Sequence, residues 1–280
     1  MAGKNQYDLS NFPYFQYKGR RSNEMGMRIL KNMELVVPEP LFNVTDVDGL
    51  NRDVIMNRQK YADIDKNFPV RLFKDSEKHI AQSMREVVAW LYSEQEYSPV
   101  LFSAYDEYFY KGFPYGGAQA LDENVNGLWV DFTIKFKMQP FIFRINGLDE
   151  RPVRSGQVIT NPEEFSSLPI VEFTIPSGAS TDAHFYINGR QFTFDVSSAG
   201  TGTFIIDSED GIAYNKDTME NVSSDVLITN ESYSPFTLDP GRNEINYDGM
   251  TNVKITPNWR TLAVWARLYY MIKMKLSGIA

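Results

Sequence analysis

Phe15-Gln16-Tyr17-Lys18-Gly19-Arg20-Arg21-Ser22-Asn23-Glu24-Met25-Gly26-Met27 reads as two strands around a tight basic turn. Phe15 and Tyr17 alternate with polar neighbours, Lys18-Gly19 supplies the reversal, and Met27, Ile29 and Met33 resume an apolar pattern. Outward from this corner the first half of the chain is mostly strand. Strands are predicted over Tyr14–Tyr17, Met27–Val37, Asp53–Met56, Val70–Phe73, Val100–Phe102 and Tyr108–Tyr110. The clearest is Leu128–Met138. Its Val130, Phe132, Ile134 and Phe136 face one way and Asp131, Thr133, Lys135 and Lys137 the other, with Pro140 expected to end it. One helix interrupts this half. Asp75-Ser76-Glu77 is a capping signal, and Ile80, Met84, Val87, Val88 and Leu91 recur at helical spacing, which predicts a helix over Glu77–Tyr92 with its apolar stripe on a sheet.

Asn146-Gly147 and Arg151-Pro152 punctuate the chain and suggest a domain boundary near residues 140–150. Beyond it come short strands: Gln157–Thr160, Ile170–Ile175, His184–Ile187, Gln191–Val196, Thr203–Ile206, Ile212–Tyr214, Phe236–Leu238, Asn243–Tyr247 and Val253–Thr256. Turn residues separate them, and Asn188-Gly189 is a two-residue hairpin signal. No helix is expected before residue 257. Many short strands with regular turns predict a β-sandwich of jelly-roll type. The fold class is therefore mainly β. Past Asn258, Leu262, Trp265, Ala266 and Tyr269 fit a helix, whereas Ile272, Met274 and Leu276 alternate with lysines, so the very end is expected to be extended.

The 280 residues are enough for one large or two ordinary domains, and no cysteine is present for a disulfide, a thiolate metal site or a nucleophile. Residues 1–10 are polar and lack the apolar core of a leader, and no apolar run is long enough for a membrane span. Net charge is −8, unevenly spread: −2 over residues 1–140, −10 over 141–257 and +4 over the last 23. An acidic second half argues against a nucleic-acid-binding face.

Signals for catalysis are weak. His79 and His184 share no motif. Asp207-Ser208-Glu209-Asp210-Gly211 and Asp46-Val47-Asp48-Gly49 lack the ligand ladder of a calcium loop and read better as hairpin turns. No nucleophile elbow or phosphate loop occurs, and nothing selects a carboxylate pair among 36 acidic residues. Aromatic residues remain. Tyr105, Tyr108, Phe109, Tyr110, Phe113 and Tyr115 suit a core strand with its loop, a subunit contact, or a surface on which sugar rings stack. A sugar-binding sandwich is the alternative function, and Tyr186, Tyr214, Tyr233 and Tyr247 are its candidate platform.

Several pieces in order resemble the distal tail (Dit) protein family of long-tailed phages of Gram-positive hosts. They are the opening Tyr14–Met27, Leu101-Phe102-Ser103 after the helix, Pro140-Phe141, and Asn161-Pro162 through Ser166-Ser167-Leu168-Pro169-Ile170. Then come Ile205-Ile206-Asp207-Ser208, Leu238-Asp239-Pro240-Gly241-Arg242-Asn243-Glu244-Ile245 and Pro257-Asn258-Trp259-Arg260-Thr261-Leu262. The resemblance implies a β-rich N-terminal domain with one helix (1–145), a galectin-like sandwich (146–257) and a C-terminal extension (258–280). The Arg20-Arg21 turn is more basic than the family pattern, and residues 262–280 run past its usual end.

The same resemblance implies a structural role and no enzyme activity, cofactor or metal. A homohexameric ring would join the tail tube protein to the tail-associated lysin or fibre protein, and would dock receptor-binding protein. Phage DNA would pass through its channel without sequence-specific binding, and an acidic protein suits such a conduit. The setting would be the virion tail tip, assembled in the host cytoplasm. The candidate contact residues are Tyr17, Lys18, Arg20, Arg21, Tyr108, Tyr110, Phe113, Trp259 and Arg260.

Overall fold

In a computed structural model, the described residues are 8–30, 36–49, 51–75, 77–117, 120–123, 127–229 and 236–263. They divide into two compact units: one up to Ile142 together with Leu262 and Ala263, the other Phe143–Thr261. The chain is mainly β.

The first unit contains β1 (Phe15–Tyr17), β2 (Arg20–Arg21), β3 (Met27–Ile29), β4 (Pro40–Thr45), β5 (Val54–Tyr61) and β6 (Ile64–Phe73). Helix α1 (Ile80–Tyr92) follows, then β7 (Ser98–Phe102), β8 (Tyr108–Pro114), β9 (Ala120–Glu123) and β10 (Trp129–Arg144). The main sheet runs β2-β1-β7-β8-β10-β6-β3, and β9 also pairs with β10. Strands β4 and β5 form a separate two-stranded ribbon.

The predicted alternation of β10 holds. Val130, Phe132, Ile134, Phe136 and Met138 are all buried, in a core shared with Phe15, Tyr17, Phe68 and Val70. The strand does not stop at Pro140 but continues to Arg144. Its pairing with β6 ends at Met138 opposite Ile64, so the missing proline N–H removes no bond of that ladder, and the Pro140 carbonyl still accepts from Ala263. Strand β6 begins six residues earlier than the expected Val70, because Lys66 and Pro69 disguise its alternation. Lys66 lies on the buried side, with its ammonium 5.1 Å from the centre of the Tyr110 ring. The expected strand from Met27 closes at Ile29, and residues 31–35 lie outside the described residues.

Helix α1 starts three residues later than the capping signal suggests. Asp75 accepts the Glu77 N–H in a local turn, and His79 opens the helix without a side-chain cap. Val87 and Leu91 are buried as expected, but Val88 is 39% exposed and Trp90 takes the inward place. Each fully buried large apolar side chain contributes about 1.5–3 kcal/mol, which is what holds the helix on the sheet.

The second unit contains β11 (Arg151–Pro152), β12 (Gln157–Asn161), β13 (Ile170–Ile175), β14 (Ala183–Ile187) and β15 (Arg190–Phe194). A one-turn helix α2 (Val196–Ala199) precedes β16 (Gly202–Asp207), β17 (Ile212–Asn215), β18 (Val226–Thr229), β19 (Gly241–Asp248) and β20 (Thr251–Thr256). Two five-stranded sheets, β11-β20-β13-β16-β17 and β12-β19-β14-β15-β18, enclose one core. Aromatic rings join them: Phe173 of the first sheet meets Phe194 of the second at 5.2 Å, and Phe194 meets Phe204 at 4.6 Å.

Asn188 and Gly189 both take positive φ (51° and 76°) between Ile187 and Arg190, the geometry of the predicted tight hairpin. The expected strand Gln191–Val196 ends at Phe194. Asp195 then caps α2 by accepting the Ser197 and Ser198 amides, so helix replaces strand there. Phe236–Leu238 is not a strand. Leu238 makes one isolated bridge to Ser167, while Phe236 and Leu238 serve as buried anchors. The helix and strand patterns beyond Ala263 lie outside the described residues.

Candidate functional site

The opening corner folds as a two-residue hairpin. Lys18 (φ 45°) and Gly19 (φ 74°) sit in the left-handed region between the paired Tyr17 and Arg20. The Lys18 ammonium donates to Glu94 at 2.8 Å and to its carbonyl at 3.3 Å, which ties the turn to the residue region just past α1. That hydrogen bond raises the Lys18 pKa and holds the Glu94 carboxyl below its ordinary range. Arg20 and Arg21 are exposed. Arg21 lies over the Tyr14 ring at 5.0 Å and 3.9 Å from Glu24. Lys18, Arg20, Glu86, Ala89, Trp90 and Ser93 line a shallow pocket of about 370 Å³.

The remaining candidate contacts separate by burial. Tyr17 (0% exposed), Tyr110 (2%) and Trp259 (1%) lie in the cores of their own units and offer no side-chain surface to a partner. Tyr17 points inward because it shares the parity of Phe15 on β1. Burial and the nearby Tyr105 push the Tyr110 hydroxyl far up. Tyr108 is partly buried against the core of the first unit, and Phe113 is half-buried with its ring edge-on to Tyr97 at 5.1 Å. Tyr97 donates to Asp63, and burial together with that bond pushes its pKa up to about 12. Arg260 donates to the Ser166 carbonyl at 2.9 Å, and burial lowers its pKa.

The aromatic platform suggested for sugar binding does not form from its described members. Tyr186 lies on β14 and Tyr214 on β17, in different sheets. Tyr247 stands opposite Phe185, so it shares the core side, and it donates to the Val153 carbonyl. Tyr233 lies outside the described residues. His184 contacts Thr193 and Gln191, each at 3.1 Å, on β14 and β15. Asp207 accepts the amides of Glu209 and Asp210, which makes the acidic loop a hairpin turn between β16 and β17. Among the described residues no group of three or more acidic or histidine side chains is placed to hold a metal ion. No described helix is long and apolar enough to cross a membrane.

A surface the sequence did not reveal is the β4–β5 ribbon. Phe42, Val44, Val54, Ile55 and Met56 are all at least 38% exposed. The local signals for it are Phe42 and Val44 on β4 and the three consecutive apolar residues Val54-Ile55-Met56 on β5.

No family model matches the chain, and no curated protein matches its sequence. Solved structures do match. The crystal structure of the Dit (gp 19.1) protein of phage SPP1, described as a paradigm of the hub adsorption apparatus in phages infecting Gram-positive bacteria, aligns with TM-score 0.63 at 14% identity. The alignment covers 88% of this chain and 98% of that one. A chain of the phage P2 baseplate, in its activated conformation with Ca, aligns with TM-score 0.50 at 10% identity over 87% of this chain and 96% of that one. Through both of its units, the chain is Dit-like in fold.

Proposed function

We propose that the chain is a structural hub protein of a phage tail tip, not an enzyme. The observation that supports this most is the extent of the likeness to the SPP1 hub protein, which takes in 98% of that chain and so includes both units rather than a common sandwich alone. In this reading residues 1–145 build a homohexameric ring, residues 146–257 form an outward galectin-like domain, and residues 258–280 are an extension. The ring joins the tail tube protein to the tail-associated lysin or fibre protein and receives receptor-binding protein. Phage DNA leaves through its channel, and a net charge of −8 per copy disfavours adhesion of the duplex. The protein resides in the virion tail tip after assembly in the host cytoplasm. The exposed Arg20 and Arg21, and Lys18 with its partner Glu94, are polar contacts available to neighbours.

The test is immunogold labelling of particles from the source culture with antibody to the purified chain. Label at the distal end of tails is expected. Label on heads or along tail sides, or no labelled particles, would overturn the reading.

A further inference from the structure

Asn188-Gly189 is the tip of the β14–β15 hairpin, and the chain holds two more such pairs, Asn126-Gly127 and Asn146-Gly147. In this dipeptide the glycine has no Cβ to shield its backbone nitrogen, which can attack the asparagine side-chain amide. Asn126 lies outside the described residues, and Gly147 is buried against Trp259. At the hairpin tip both residues are exposed, and a Cβ built on Gly189 would meet nothing within 4 Å. Water and base therefore reach the backbone of this pair. The Asn188 side chain is nevertheless tied down at both ends. Its Nδ2 donates to Asn243 Oδ1 at 2.9 Å, and its Oδ1 accepts the Glu244 amide at 3.0 Å. The Asn188 N–H also donates to the Glu244 carbonyl at 3.0 Å. Asn243 is itself 0% exposed and donates to the carbonyls of Asp239 and Gly241, so the clasp is anchored on β19 and its turn rather than in the hairpin tip.

We propose that Asn188 is a deamidation site gated by its clasp to Asn243 and Glu244. The reaction runs only from the opened tip, and its product cannot close the clasp again. In the closed tip both polar atoms of the Asn188 amide are bonded to β19, so Cγ is not free to swing onto the Gly189 nitrogen. In the opened tip, base takes the Gly189 amide proton, the nitrogen bonds to Cγ of Asn188, and the Cγ–Nδ2 bond breaks with release of ammonia. Water then opens the succinimide at either carbonyl and leaves aspartate or isoaspartate. The balance is one water in and one ammonia out. Neither product restores the tip. At neutral pH the new carboxylate has no proton to give Asn243 Oδ1, and two acceptors face each other where a bond of 2.9 Å stood. Isoaspartate also lengthens the backbone by one methylene in a two-residue loop whose length sets the pairing of Ile187 with Arg190. A local opening that is otherwise reversible thus becomes permanent once the pair has reacted.

The test incubates the full chain in H₂¹⁸O at mildly alkaline pH, so that each deamidation leaves an ¹⁸O label. Digestion in ordinary water and mass spectrometry then read the peptide that contains residue 188. In native wild type the label at 188 is expected to accumulate at least about tenfold more slowly than in the same chain unfolded in guanidinium chloride. Asn243→Ala, folded by circular dichroism, should accelerate it about tenfold in native buffer. Asn188→Asp, the product made directly, should unfold at a lower denaturant midpoint than wild type. A native rate at 188 equal to the unfolded rate overturns the proposal. So does an Asn243→Ala variant that keeps the slow wild-type rate, or an Asn188→Asp chain as stable as wild type. Should Asn243→Ala not fold, wild type below its unfolding midpoint takes its place. Its rate at 188 should then rise with guanidinium chloride, and a rate independent of the denaturant overturns the gate.

Discussion

The indole N–H of Trp90 donates to the carbonyl of Tyr17 at 3.0 Å, so the helix is bonded to the residue that opens the basic turn. The same indole stacks on Phe15, with ring centres 5.7 Å apart and planes 6° from parallel. Removing it empties a packed site and leaves a carbonyl without its donor. Trp90→Ala is expected to cost about 3–5 kcal/mol, and Trp90→Phe, which keeps a ring, about 1–2 kcal/mol. Urea unfolding checks both, and a Trp90→Phe variant as stable as wild type would contradict the role given to the N–H.

Gly147 sits where a side chain has no room. A Cβ there would lie 2.6 Å from the backbone nitrogen of Trp259. The neighbouring Asn258 N–H also donates to the Gly147 carbonyl at 2.8 Å, which pins the two segments together. Gly147→Ala is expected to destabilise by about 2–3 kcal/mol. Gly117, with nothing within 4 Å and no positive φ, is the control, and Gly117→Ala should be within about 0.5 kcal/mol of wild type. Thermal melts of the two variants separate steric crowding from a general glycine effect.

Asn243 is fully buried and fastens the Asp239-Pro240-Gly241 turn. Its amide nitrogen donates to the carbonyls of Asp239 and Gly241, and its oxygen accepts from the Asp239 amide and the Asn188 side chain. A carboxylate of the same shape cannot donate. Asn243→Asp should therefore lose about 2–3 kcal/mol, and Asn243→Ala is expected to lose about as much. Denaturant midpoints decide it, and a stable aspartate variant would show that the donor contacts matter little.

Glu172 accepts from Lys216 at 2.7 Å and Lys254 at 3.2 Å. Burial pushes its carboxyl up, but the two lysine bonds outweigh this and leave its pKa below the ordinary 4.5. A lowered folded pKa adds stability that is present above pH 4.5 and is lost as pH falls through the folded value. Because the lysines are 46% and 35% exposed, the pair contributes only about 1 kcal/mol. Glu172→Gln should be less stable at neutral pH and show a flatter loss of melting temperature on acidification. Parallel melting curves at every pH would refute the linkage.

What the sequence revealed followed from alternation. β10 was legible because Val130 through Phe136 alternate without a break, and the Asn188-Gly189 hairpin because its residues suit positive φ. β6 was legible only in part, since buried Lys66 looks like a solvent residue until Tyr110 is seen beside it. Helical periodicity located α1 but left open whether Val88 or Trp90 turns inward, a choice set by the strands beneath. Among the candidate contacts, aromatic character could not distinguish Tyr17, Tyr110 and Trp259 in the core from Phe113 at the half-buried margin. The exposure of the β4–β5 ribbon was not legible. Val54, Ile55 and Met56 fall in a predicted strand, but three apolar residues in a row do not tell which side meets solvent, and the structure shows all three exposed.

Trp259 is the only tryptophan between Phe143 and Thr261, and it is 1% exposed. An indole so well shielded from water emits at shorter wavelength than a hydrated one, and its emission shifts red when its surroundings open. With phenylalanine at positions 90, 129 and 265, the chain would carry one fluorophore, placed in the second unit alone. Its colour would then report the opening of that unit, whatever the state of the other.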